Sequence, residues 1–241
     1  MTLSRKQWDA IHAYQADELN SILTDTDFLN RMARSDHFSR IGNWAEAVAG
    51  DRRVLELGCG PGRYVAFLAR LGCRVVGADP VRYETWELIG RQVDVEFMDG
   101  VIAEQLPYPD QSFDGVACLG AFLYFSNPDN ALAEMRRVLT PGGKLMMRTV
   151  NSGNCFERFT GRKIDPASKN TYTIGELDGL LTSAGYRVLE KFSYGFFPPV
   201  LTEYWWYLVN GVLSVRTQAG LSNLLPESFR VNHIVFAERT A

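Results

Sequence analysis

Residues 54–64 read VLELGCGPGRY. The apolar run Val54 to Leu57 stops at three glycines in five positions, Gly58, Gly60 and Gly62. A strand that ends in a loop almost without side chains leaves its backbone open to something other than protein. Glycine permits the tight path and takes the Cβ out of a ligand's way. In an open α/β sheet ligands bind beyond the carboxyl ends of the strands, and the first strand-to-helix turn is the usual cradle. The pattern here is GxGxG. A dinucleotide site asks for GxGxxG, and Arg63 stands where its third glycine belongs.

Outward from this loop the chain alternates short apolar runs with amphipathic stretches. The rhythm predicts strands at 52–58, 73–79, 93–99, 113–120, 142–150, 186–196 and 232–240. It predicts helices at 62–72, 81–92, 128–140 and 173–184, with Asp129 near the start of the third. Trp8, Ile11, Tyr14 and Leu19, then Phe38, Ile41, Trp44 and Val48, fall at helical spacing, so residues 5–50 also read as helices. Strand, helix, strand in this order implies parallel strands joined by crossovers. The fold class is α/β: a doubly wound, mostly parallel, seven-stranded, Rossmann-like sheet. One domain is expected over 1–241, with an N-terminal helical lid (1–50), a core (51–150) and a substrate-side part (151–241). In the last part, residues 151–172 are polar and contain glycine, and read as an insertion or lid.

The 241 residues are 46% hydrophobic and 22% charged, which is ordinary globular composition. With 25 basic and 28 acidic side chains the net charge is −3, and no Lys/Arg run offers a phosphate footprint, which argues against a nucleic-acid partner. Cys59, Cys73, Cys118 and Cys155 form no CxxC pair, and His12, His37 and His233 lie far apart, so no metal site is expected. The cysteine usage and the charged start suit a reducing cytoplasm.

The second predicted strand ends in Asp79, 19 positions after Gly60, where nucleotide-binding sheets place a carboxylate on the ribose. The third ends in Asp99-Gly100. Each feature alone reads equally well as turn or helix-cap chemistry. Three of them at the ends of three successive strands are hard to obtain from turns alone.

With VLELGCGPGRY, VVGADP, LPYPDQSFDGVACLGAFLYF and RRVLTPGGKLMMRTVN, residues 52–151 resemble the class I S-adenosylmethionine-dependent methyltransferases of small-molecule type. The resemblance implies S-adenosylmethionine as cofactor and S-adenosylhomocysteine as product. It implies that Glu56, Gly58, Cys59 and Gly60 approach the methionine part and the sulfonium. Asp79 would hold the ribose hydroxyls, with Pro80 beside the adenine. Leu119 and Gly120 would line the meeting place of cofactor and acceptor. The family's D-A-E-x-L-P step is altered here to DGVIAEQLP. The adenine contact therefore falls to Asp99 with Gly100, or to backbone groups near Val101 and Ile102. The family's habits favour O-methylation over N- or C-methylation.

A general base is needed only where the acceptor must lose a proton. Tyr124 follows the fourth strand and His37 precedes the first; both are weak candidates, and neither has a visible partner. His233 reads as structural. Tyr14 and Tyr64 could touch the cofactor's carboxylate. The aromatic stretch 196–213, FFPPVLTEYWWYLVNGVL, is expected to be a buried helix, with a homodimer face or a wall for an aromatic or lipid-like substrate as alternatives. Its Glu203 argues against a transmembrane span. Two rival functions remain: a nucleotide-cofactor oxidoreductase, and a non-catalytic partner subunit that binds S-adenosylmethionine.

Overall fold

The computed structural model describes residues 16–27, 36–195 and 223–240. Tyr14 and the aromatic stretch 196–213 lie outside them, as does the side chain of His37. Residues 16–24 are helical. The ordered elements that follow are α1 (Asp36–Ala47), β1 (Arg53–Leu57), α2 (Arg63–Arg70), β2 (Arg74–Ala78), α3 (Thr85–Gly90), β3 (Val95–Met98) and β4 (Phe113–Leu119). Then come α4 (Pro128–Val138), β5 (Leu139–Val150), α5 (Cys155–Thr160), α6 (Ile174–Ser183), β6 (Tyr186–Tyr194) and β7 (Asn232–Arg239).

Seven strands form one sheet in the order β3-β2-β1-β4-β5-β7-β6. The pairs from β3 to β5 are parallel, and β7 runs antiparallel to both β5 and β6. The doubly wound, mostly parallel reading of the sequence agrees with this. The reversed β7 also departs from the 3-2-1-4-5-6 order of dinucleotide-binding sheets. Among the described residues no helix is long and apolar enough to cross a membrane.

Alternation along the strands builds a core on each face. Val54, Val75, Ala117 and Met146 pack with Phe67, Leu68, Ile41 and Trp44 under α1 and α2. Leu55, Val76, Val116 and Met147 pack with Leu132, Met135, Leu177 and Leu181 under α4 and α6. Burial on both faces explains why these strands read as nearly continuous apolar runs.

Several predicted boundaries shift. α3 starts at Thr85, not at 81, because Val81 to Tyr83 belong to the turn that leaves β2, and the helix is anchored by Trp86 stacked on Phe97 at 4.7 Å. β5 begins at Leu139, not at 142, since Leu139 already pairs with Phe113. α4 is capped by Asn127, whose Oδ1 accepts from the Asn130 N–H at 3.1 Å, with Pro128 and, as expected, Asp129 in the first turn. The 151–172 insertion contains α5, capped by Asn154. It is moored to the turn after β4: the Lys169 N–H donates to the Leu123 carbonyl at 2.8 Å, and Asn170 Nδ2 donates to the Phe125 carbonyl at 2.7 Å.

Candidate active site

The sheet order reverses direction between β1 and β4, which opens a crevice at their carboxyl ends. A cavity of about 940 Å³ lies there. Glu56, Gly58, Cys59 and Gly60 line it from β1, Leu119 and Gly120 from β4, and Arg148 to Val150 from β5. Ala16 and Leu19 of the N-terminal helical stretch and Ile164 and Asp165 of the insertion cover it. That volume suits a nucleoside-sized cofactor beside a small acceptor.

The three loop glycines serve different ends. A Cβ on Gly58 would stand 2.2 Å from the Ala121 Cβ, and one on Gly62 would stand 2.6 Å from Ile89 Cδ1. Both are demanded by neighbouring protein. At Gly60, with φ +51°, a Cβ would meet nothing within 4 Å. Only Gly60 has the open approach that the sequence suggested for the whole loop.

Glu56 lies on the cavity floor, 1% exposed, and its Oε2 has no hydrogen-bond partner within the protein. Burial, and then the nearby Asp79, push its pKa from an ordinary 4.5 up to about 8, with Arg63 pulling the other way. Asp79, 9% exposed, accepts the Gly60 N–H on Oδ2 at 2.9 Å and the Val81 N–H on Oδ1 at 3.0 Å. It braces the glycine loop against the turn after β2. That turn is clamped further: Trp86 Nε1 donates to the Gly60 carbonyl at 2.7 Å, and Thr85 Oγ1 donates to the Pro61 carbonyl at 2.7 Å.

The remaining sequence candidates divide. Pro80, Asp99 and Gly100 sit exposed at the rim beyond the cavity lining, while Val101 is buried. The Gly100 N–H donates to the Pro80 carbonyl, and the Val101 N–H to the Asp79 carbonyl. The Val101 amide is therefore already occupied. Cys59 is buried, and burial pushes its thiol well above the ordinary range, so it is no nucleophile. Tyr124 hydrogen-bonds Asp165, and burial together with that carboxylate push its phenol upward, the reverse of what a base at neutral pH needs. His233 is buried, paired through Nδ1 with Ser193 Oγ at 2.7 Å and lowered to about 4 by burial; it is structural. Tyr64 does line the cavity. Among the described residues no group of three or more His, Cys, Asp or Glu side chains could hold a metal.

Sequence reasoning missed the cationic wall. Arg63 pairs with Glu18 of the N-terminal stretch at 2.5 Å and lies 4.8 Å from the Tyr64 ring centre. Arg148 faces the hydroxyls of Tyr194 and Tyr64, and its Nη2 reaches Asn232 Oδ1 at a long 3.4 Å. One signal was available for the second: Arg148 directly follows the buried apolar run Leu145-Met146-Met147 of β5.

Residues 55–147 match the family described as "Methyltransferase domain". Over these residues the chain is similar to S-adenosylmethionine-dependent methyltransferases. A demethylmenaquinone methyltransferase of Deinococcus radiodurans is 39% identical over 137 residues, 53% of this chain and 56% of that protein. An S-adenosyl-L-methionine-dependent Diels-Alderase of Talaromyces variabilis is 27% identical over 196 residues, 78% of this chain and 61% of that protein. The chain spans about half the length of the curated relatives it matches. The crystal structure of Burkholderia thailandensis 1,6-didemethyltoxoflavin-N1-methyltransferase, solved with its substrate and S-adenosylhomocysteine, superposes with a TM-score of 0.59. It shares 17% identity and covers 100% of this chain and 92% of that one, a likeness of fold. Within this chain the matched methyltransferase segment holds Glu56, Gly60, Asp79 and Gly120. Arg148 is the first residue beyond it.

Proposed function

We propose that the protein transfers a methyl group from S-adenosylmethionine to a small-molecule acceptor, with oxygen favoured over nitrogen or carbon as the acceptor atom. The observation that carries this reading is the unpartnered Glu56 carboxylate on the floor of the cavity, beside the one loop glycine that faces open space. An uncompensated buried carboxyl is costly unless a cation comes to meet it. The cofactor's methionine end brings both an ammonium and a sulfonium. The residues present therefore fit it. When bound, it supplies a methyl group on a sulfonium, an electrophile that leaves behind a neutral thioether.

Glu56, Gly58, Cys59 and Gly60 would hold the methionine end. Asp79 would take the ribose hydroxyls: each oxygen accepts one backbone amide and keeps a lone pair for a hydroxyl. Pro80 and the rim at Asp99, Gly100 and Val101 would border the adenine. Leu119 and Gly120 would mark where cofactor and acceptor meet. The protein's contribution is alignment and exclusion of water, worth on the order of 7–11 kcal/mol of barrier from proximity and orientation. The N-terminal stretch and the moored insertion would close the site.

Titration calorimetry with S-adenosylhomocysteine, with NADH run beside it, tests the cofactor. Micromolar binding of the first and none of the second is expected; binding of NADH alone overturns the reading. A second reading has its own observation, since the relative matching the longer stretch is named a Diels-Alderase. There the cavity would orient unsaturated groups of one substrate, and no methyl would move. Mass spectrometry of the product separates the two: a methylated product gains the mass of CH2, and a cyclised one keeps its mass.

A further inference from the structure

The proposed acceptor half of the cavity carries a cation that makes no ion pair among the described residues. Arg148 leaves the end of β5 and lines the cavity next to Gly120. A Cβ on Gly120 would stand 3.2 Å from Arg148 Nη1, so the guanidinium lies directly against this glycine. Its surroundings are phenols and an amide: Tyr194 and Tyr64 first, Asn232 at 3.4 Å, and Tyr124 close enough to feel its charge. Its Nε is sealed from solvent and unpartnered, and it makes no ion pair among the described residues. Arg63, the other cavity arginine, differs, for Glu18 neutralises it. The nearby acid Asp165 is engaged by the Tyr124 hydroxyl and accepts the Ala167 N–H at 2.8 Å.

A partly buried guanidinium ringed by neutral acceptors is costly to desolvate and strongly attracts a planar anion, which it grips through two parallel N–H bonds. We propose that Arg148 is the anchor for an anionic acceptor, one carrying a carboxylate or an ionised enol or phenol. This deepens the methyltransferase reading and rests on it for the word acceptor. It also meets the lack of a competent base at Tyr124, because an oxygen that is already an anion has no proton to lose. The three tyrosines leave room for a flat, partly apolar body around the charged group. One other carboxylate could seek the same arginine, that of the cofactor's methionine part, and the experiment separates the two.

The full-length chain is saturated with S-adenosylhomocysteine and titrated with a panel of aromatic and aliphatic monocarboxylates, each beside its neutral amide. The same panel is run on Arg148→Gln and Arg148→Lys, with circular dichroism melts to confirm folding. At least one acid should bind the unaltered protein more tightly than its amide. In Arg148→Gln that acid should weaken about tenfold or more, the loss expected for a charge-assisted hydrogen bond. Arg148→Lys should retain part of the preference, and it carries the test if Arg148→Gln does not fold. Affinity for S-adenosylhomocysteine should stay within about twofold, the size of a contact not made. A panel in which no acid outbinds its amide overturns the proposal. So does a loss of S-adenosylhomocysteine affinity in Arg148→Gln with acid binding intact, which would hand Arg148 to the cofactor. Failure of the unaltered protein to bind S-adenosylhomocysteine would strike the methyltransferase reading instead, while the acid-against-amide comparison still judges the anchor.

Discussion

The two rims of the cavity are built in opposite ways. Along β1 and β2 each functional group is fixed by neighbours a few residues off or by one adjoining turn. Asp79 bonds Gly60 and Val81, Trp86 bonds the Gly60 carbonyl, and Thr85 bonds the Pro61 carbonyl. Along β4 and β5 the wall is assembled from Tyr64, Gly120, Tyr124, Arg148, Asp165, Tyr194 and Asn232, which come from six separate stretches of chain. On the proposed function, the first rim is a preformed cradle for the cofactor. The second can change its ligand by changing a few long-range partners without disturbing the first. One fold thereby serves many acceptors.

The sharpest way to break this contrast is at the glycines. Gly58→Ala drives a methyl to 2.2 Å from Ala121 in a left-handed backbone, so unfolding stability should fall by about 3 kcal/mol or more in urea titrations. Gly60→Ala meets no atom and should cost only about 1 kcal/mol of stability, yet weaken S-adenosylhomocysteine binding about tenfold or more. Equal stability losses in the two variants would mean that the loop is not divided between packing and ligand.

Asp79→Ala comes next. The sequence suggests a ligand contact whose loss leaves the fold standing. The structure adds that two backbone amides would lose their acceptor, so about 1–3 kcal/mol of stability should go together with the cofactor affinity. Full stability with lost affinity would restore the simpler view.

Glu56 sharpens the comparison through pH. Its folded pKa, about 8, lies above the ordinary 4.5 of the unfolded chain. The folded state therefore holds the proton longer, and Glu56's contribution to stability is complete below pH 4.5 and lost as pH rises through 8. Urea midpoints of the ligand-free protein should decline over that window, and Glu56→Gln should flatten the decline. A cation beside Glu56 favours the ionised form, so S-adenosylhomocysteine binding at neutral pH should release protons. Calorimetry in buffers of different ionisation enthalpy would count them, and a count unchanged in Glu56→Gln would place the ligand elsewhere.

The same division decides what could be read from the chain. The GxGxG loop, Glu56 and Asp79 were legible because a short loop and two strand ends encode them within some 25 residues. The sheet was legible because strands buried on both faces have to be apolar. The reversed β7 was not, since an antiparallel strand carries the same composition as a parallel one. The role of Asp79 as a brace was hidden because it depends on where two backbone amides point. Arg148 stood in plain sight directly after the apolar run Leu145–Met147, but its meaning depends on its having no ion pair among the described residues in three dimensions. No spacing rule reports that.

The smallest expected effect tests the second rim. Tyr124 donates to Asp165 and so ties the turn after β4 to the insertion that covers the cavity. Tyr124→Phe removes one exposed hydrogen bond and should cost about 1 kcal/mol or less in a thermal melt. Once an acceptor is known, its KM should rise a few-fold, because the insertion is held less firmly, while kcat changes little. The burial and the neighbouring Asp165 that push this phenol upward make a proton-abstracting role physically awkward. A fall in kcat of about a thousandfold, the scale of a lost general base, would therefore contradict both the electrostatics of Tyr124 and the argument for an anionic acceptor. It would make this rim a proton-transfer site in place of an anion-holding wall.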